Sequence, residues 1–177
     1  GLNLVKEGLT IKPNFLWRRH FDKFMLDKTG IRSNYLASHR TDSYTPSLYL
    51  NKSGTNLGKI GLGLEYSKDI INSTSLGKHS RQRKSVYIDD ACNFFESFLV
   101  ESSLRVDDYD GIDTSLTGGV KFTYAFQESD FLYSGISRNI RIPSFTELYY
   151  NDPTTTGNAA LSPEKSLSYE IGYKRKR

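Results

Sequence analysis

SRNIRIPSFTELYYNDPTTTGNAALSPEKSLSYEIGY, residues 137–173, reads as a strand, a long structured connection and a second strand. Ile140 and Ile142 lead into Pro143, whose ring nitrogen cannot donate to a ladder, so regular pairing stops there. Ser144, followed three residues later by Glu147, is a capping box and predicts a single helical turn over 144–150. Asp152-Pro153, Gly157-Asn158 and Ser162-Pro163 punctuate the connection with turns. Leu167, Tyr169, Ile171 and Tyr173 then alternate with Ser166, Ser168, Glu170 and Gly172, which is a strand with one apolar face.

The same two-residue period recurs upstream. Leu9, Ile11, Phe15 and Trp17 form a first strand, and Pro13 within it marks an edge or a bulge. A second runs over about 35–50 and is broken by Pro46. Ile60, Leu62, Leu64 and Tyr66 oppose Lys59, Gly61, Gly63 and Glu65 in a third, and an irregular fourth spans about 83–92. Phe98, Val100, Leu104 and Val106 mark the fifth, Val120, Phe122, Tyr124 and Phe126 the sixth, and 131–142 the seventh. With the strand after the opening connection, the chain carries about eight, with no internal domain boundary. Turns at 51–55, 93–97 and 127–130 are short. The intervening connections (after 20, over 67–82, over 108–115 and over 143–163) are long.

Strand length matters here. The strands run roughly 10–12 residues, about twice the mean of soluble proteins. At about 3.3 Å per residue and a tilt near 45° they span roughly 24 Å, the height of a membrane barrel's apolar band. The chain has 37% hydrophobic residues and a mean hydropathy of −0.53, with no apolar run long enough for a transmembrane helix. That does not exclude a barrel, which needs only alternate residues apolar. Phe15, Trp17, Tyr66, Tyr109, Phe126, Phe131 and Tyr133 gather at strand ends, where interfacial girdles lie. From pattern alone a soluble β-sandwich stays open. The 24 basic and 20 acidic residues are too balanced to argue for nucleic acid, and the single Cys92 forbids an internal disulfide.

The opening stretch resembles the TonB-dependent outer-membrane receptors. Arg141, Pro143, Phe145, Glu147 and Leu148 match one segment of that family's pattern. Gly157, Asn158, Leu161, Pro163 and Glu164 match a second, and Ser168, Tyr169, Glu170 and Gly172 a third. LGKHSR at 76–81 and the segment from Trp17 to Asp22 are similar to its cobalamin-type branch. The resemblance implies an all-β fold: an antiparallel transmembrane β-barrel segment with short periplasmic turns and long extracellular loops, in the outer membrane of a Gram-negative bacterium. It implies uptake of a metal chelate or vitamin, of siderophore or cobalamin type. The implied partners are membrane lipid, the ligand, and the TonB complex acting through a plug domain. Residues 1–177 hold no segment matching a plug, a TonB box or a final barrel strand, so the expectation is a partial barrel, with a complete eight-stranded barrel or a carbohydrate-binding module as alternatives.

No catalytic constellation is visible and no cofactor is implied. His20, His39 and His79 lack ligand spacing. Asp107, Asp108, Asp110 and Asp113 could offer carboxylates to Ca²⁺ but lack the glycine and closing glutamate of an EF-hand loop. Arg138, Arg141, Tyr149 and Tyr150, with His79 and Arg81, are the expected ligand-facing residues, because arginine offers a planar fork to anions and tyrosine apolar area with a hydroxyl. Pro143, Ser144, Glu147, Gly157, Asn158 and Pro163 are expected to shape the connection.

Overall fold

The computed structural model describes residues 3–25, 36–55, 58–151 and 155–176, with backbone alone at 24, 25, 36 and 55. Nine strands form one antiparallel sheet in simple sequence order. They are β1 (Leu4–Lys6), β2 (Leu9–Met25), β3 (Leu36–Thr55), β4 (Gly58–Ser73), β5 (Gly77–Phe94), β6 (Phe98–Tyr109), β7 (Ile112–Ala125), β8 (Asp130–Arg141) and β9 (Glu164–Arg175), with the one-turn helix α1 (Phe145–Tyr149) between β8 and β9.

Burial along the strands is inverted relative to a water-soluble sheet. The buried side chains are largely polar, among them Asp42, Asn51, Ser85, Asp107, Ser115 and Asp130. The large apolar ones stand in the open: Leu64 is 48% exposed, Val86 51%, Leu104 48% and Ile171 86%. Register explains this. Leu48, Leu64, Val86, Val106 and Leu116 pair in one row, and Leu50, Leu62, Ile88, Leu104 and Gly118 in the next, so all share a face. A second layer covering that face would make a sandwich, and none is present among the described residues. A face of uncovered aliphatic side chains suits hydrocarbon as its solvent.

The opposite face is polar and close-packed. Gly61 and Gly63 lie there under the rings of Tyr49 and Tyr87, which stack on each other at 6.1 Å. A Cβ on Gly63 would collide with the Tyr87 ring, and one on Gly61 with the Tyr49 hydroxyl and the Asp89 carboxylate, so the alternating glycines make room for those side chains.

Several sequence expectations need correction. The strands other than β1 are 12–20 residues long, and the short β1 adds a ninth. The connection expected over 67–82 is strand almost throughout, closed by a turn at 74–76. That expected over 108–115 is a turn at 110–111. Both segments carry polar residues on both faces, because the strands rise beyond the apolar band, and polarity alone reads as loop. The turn expected at 51–55 is strand, and residues 56–57, like 26–35 with Gly30 and 152–154 with the Asp152-Pro153 turn, lie outside the described residues. Pro46 does not break β3: the β3–β4 ladder skips Thr45 and Pro46 and resumes in the same register. Pro13 sits within β2, past the described residues of β1, and its ladder to β3 continues through Leu48. Of the expected girdle, Tyr109, Phe131 and Tyr133 share the polar face by register, while Phe15, Trp17 and Tyr66 share the apolar one.

Candidate functional site at the mouth of the sheet

Residues 142–151 and 155–163 fold as a cap over the upper end of β5, at the end of the sheet opposite the short turns. Ser144 opens α1 with a complete capping box: Glu147 N–H donates to Ser144 Oγ at 3.2 Å, and Ser144 N–H donates to Glu147 Oε2 at 2.7 Å. The returning chain closes the other end. Gly157 N–H donates to Tyr150 O at 2.6 Å and Asn158 N–H to Glu147 O at 2.9 Å. A Cβ on Gly157 would lie 2.8 Å from Leu148 C and from Tyr150 N, so only glycine fits against the helix end. Asn158 Oδ1 accepts from Ala160 N–H at 2.9 Å and turns the chain toward Pro163 and β9.

Arg141 locks this arrangement. Its Nε and Nη2 donate to Glu164 at 2.9 and 2.7 Å, and its Nη1 and Nη2 donate to Glu147 at 3.0 and 2.9 Å. One guanidinium thus joins the end of β8, the helix and the start of β9. The Arg141 guanidinium, aided by Ser144, holds the Glu147 carboxyl down at about 2.

The cap meets β5 through aromatic contacts. The His79 ring lies 3.7 Å from that of Tyr149 at 3° and 6.3 Å from that of Phe145. His79 Nε2 donates to Leu76 O at 2.6 Å, which puts the proton on that nitrogen in the neutral ring. Arg81 Nη2 donates to Pro143 O at 2.8 Å, and its guanidinium lies 4.9 Å over Phe145. Under this cluster, Ser67, Asp69, Arg81, Arg83, Tyr109 and Ile142 line a cavity of ≈ 180 Å³.

The cavity opens toward an ion network on the polar face that sequence reading missed. Arg105 donates to Glu65 and, through Nε, to Asp107, both at 2.8 Å, and Arg83 pairs with Glu65. Ser85 Oγ donates to Asp107 Oδ1 at 2.5 Å. Arg83 Nε is buried without a hydrogen-bond partner among the described residues, 3.8 Å from Asp107. These residues sit on three different strands, and their meeting depends on register, which the spacing of charges in the sequence does not reveal.

The six expected ligand-facing residues therefore divide. His79, Arg81 and Tyr149 come together at the mouth. Arg141 is committed to the cap's own carboxylates, and Tyr150 closes α1 by donating its N–H to Thr146 O at 3.1 Å. Arg138 pairs with Gly118 and Leu167 on the apolar face, away from the cavity. Asp107 and Asp108 point to opposite faces of β6, so the proposed acidic cluster does not converge. Among the described residues no group of three or more potential ligands could hold a metal.

An antiparallel sheet with an aliphatic face, a polar face and a structured cap at one end defines a wall of a membrane β-barrel with a receptor-type mouth. The TonB dependent receptor-like β-barrel family matches residues 4–176, and the chain belongs to it. The fold superimposes on the siderophore receptor PirA of Pseudomonas aeruginosa with a TM-score of 0.77 at 18% identity, over 99% of this chain and 35% of that one. It also superimposes on a mutant ferric enterobactin receptor PfeA from the same organism, in complex with enterobactin (TM-score 0.67, 15% identity, 96% of this chain, 30% of that one). PirA of Acinetobacter baumannii gives a TM-score of 0.65 at 15% identity, with the same coverage as PfeA. The chain thus spans about a third of the length of these receptors. No curated protein sequence matches it.

Proposed function

We propose that this chain is part of the barrel wall of an outer-membrane transporter that takes up a metal chelate of siderophore type, driven through TonB. The observation that supports this reading is the capped mouth, in which the rings of His79, Tyr149 and Phe145 and the Arg81 cation gather above a polar-lined cavity. Such a set suits a ligand with flat rings and anionic oxygens. The barrel's own role is passive: it captures and encloses the ligand, and no bond is made or broken by its residues. The neighbouring structures named as siderophore receptors favour an iron chelate over a cobalamin.

The test is uptake by cells that carry the gene and by cells in which it is disrupted, with ⁵⁵Fe-labelled siderophores and ⁵⁷Co-labelled cobalamin supplied in parallel. Loss of ⁵⁵Fe uptake on disruption, and its collapse on loss of TonB, is expected. Loss of cobalamin uptake alone overturns the siderophore assignment. Recovery of the protein folded in a detergent-free soluble fraction overturns the membrane reading itself.

A further inference from the structure

The polar face, which a barrel turns toward its lumen, carries cation–ring contacts at both of its ends. At the mouth Arg81 lies over Phe145. At the end with the short turns, Lys121 Nζ lies 5.1 Å from the Tyr133 ring centroid and Lys176 Nζ 5.0 Å from that of Phe131. Arg83 and Arg105 also lie over rings in between, but both are committed to Glu65 and Asp107. Arg81, Lys121 and Lys176 have no acidic partner within ion-pair distance among the described residues. Neither has Lys174, which faces Phe131 across the β8–β9 ladder.

The lower residues form one cluster. The Tyr133 ring lies against Gly172, where a Cβ would meet it at 2.4 Å. Lys121, Lys174, Lys176, Phe131, Tyr133 and Glu170 line a cavity of ≈ 460 Å³, so its lining sets three lysines against one glutamate. Glu101, opposite Lys121 on β6, and Glu128, in the adjoining turn, stay beyond ion-pair distance of these lysines. Above the cluster a row of small residues in direct register, Ser103, Gly119, Ser137 and Ser168, crosses β6 to β9. That row floors a trough of ≈ 540 Å³, which shares Lys121 and Glu170 with the lower cavity. No bulky side chain of the row obstructs passage along this part of the wall.

We propose that the lower cluster is a second site for the transported ligand, an anionic aromatic chelate, at the end of the lumen where it leaves. A ring of the chelate lies on Tyr133 or Phe131, and its anionic oxygens meet Lys121, Lys174 and Lys176. Arginine grips an anion with a planar fork, whereas lysine is a strongly hydrated point charge. Arginine at the mouth and lysine below thus place weaker attachment after stronger, the order that release requires. The proposal rests on the uptake reading above.

The test uses the whole receptor containing this chain, purified from outer membranes in detergent. The probe is the ⁵⁵Fe complex of 2,3-dihydroxybenzoate, an anionic aromatic chelate. Equilibrium dialysis is expected to show a tighter and a weaker class of site. In wild-type protein the chelate should shield Lys121, Lys174 and Lys176 from acetylation, read by mass spectrometry. Lys59, on the same face at the same end, should stay reactive. Lys121→Gln with Lys174→Gln should weaken the weaker class about ten-fold, and Lys121→Arg with Lys174→Arg should retain it. A single class of site, or equal shielding of Lys59, overturns the proposal. So do lysines already unreactive before chelate is added, since polypeptide then covers them. If Arg81→Gln leaves binding unchanged while the lower lysines are still shielded, the mouth assignment fails and the lower site stands. The acetylation pattern of the wild-type receptor decides the matter even if a variant misfolds.

Discussion

Two of this molecule's sets of ion pairs, one in the cap and one on the polar face, differ in what surrounds them. In the cap, Arg141 bridges Glu147 and Glu164 with side chains that are 54%, 37% and 67% exposed. On the polar face of the sheet, Arg105 and Arg83 bridge Glu65 and Asp107, with Asp107 only 8% exposed. The first set has water as an alternative partner for every group; the second does not. Exposed pairs set the shape of a loop at little net gain, whereas partly buried ones become costly when broken, because the partner left behind stays charged and dry.

The largest effect is expected from Arg105→Gln, which leaves Asp107 with Ser85 as its remaining close donor and removes the cation 5.2 Å over Tyr87. A loss of about 3 kcal/mol, read as a lower unfolding midpoint in detergent, is the expected outcome. A change no larger than that of a surface arginine would show that the two sets are not different in kind. Gly157→Ala comes next. Its new methyl meets backbone on α1, and overpacking of this sort costs about 1–3 kcal/mol. Because the strain is confined to the cap, protease cleavage within 142–163 should rise while the sheet's midpoint holds. His79→Ala removes one ring from the stack with Tyr149, worth about 1 kcal/mol, and should raise hydrogen exchange in α1 without altering that of β5.

The smallest effect is one of pH, and its sign follows from Glu147. Its carboxyl titrates at about 2 in the folded cap against an ordinary 4.5. The stabilisation is therefore present above about 4.5 and is lost as pH falls through about 2. Cap protection measured by hydrogen exchange should decline over that window, and the decline should be shallower in Glu147→Gln, where Glu164, also held down by Arg141, is the remaining cap carboxylate on that guanidinium. High salt should weaken the cap in the same assay and leave the Glu65–Arg105 pairing less affected, since burial limits screening.

The cap is largely legible in the sequence. A capping box, a proline stop, Gly-Asn and Ser-Pro are local devices, and each acts within a few residues of itself. The alternation at 60–66, 98–106 and 120–126 likewise announces strands and their faces. The Glu65–Arg83–Arg105–Asp107 network is not legible, because a charge in a strand says nothing of its neighbours until register is known. The expected connections over 67–82 and 108–115 fail for a related reason. Past the aliphatic band, strands need no apolar face, so residues such as Lys78, His79 and Arg81 look like loop although the ladder continues through them. Arg138 is misplaced by the same blindness: its chemistry suggests the mouth, while its parity with Ile136 and Ile140 puts it on the hydrocarbon side.

The order β1 through β9, in which each strand pairs only with its neighbours in sequence, has a consequence for assembly. No segment waits for a distant partner to be synthesised, so each closure is a hairpin with a small entropic cost. The sheet can grow by one hairpin at a time, and every newly exposed edge is covered by the next strand to arrive. For a chain whose aliphatic side chains cannot be left in water, that ordering keeps the growing edge open only until the next strand arrives.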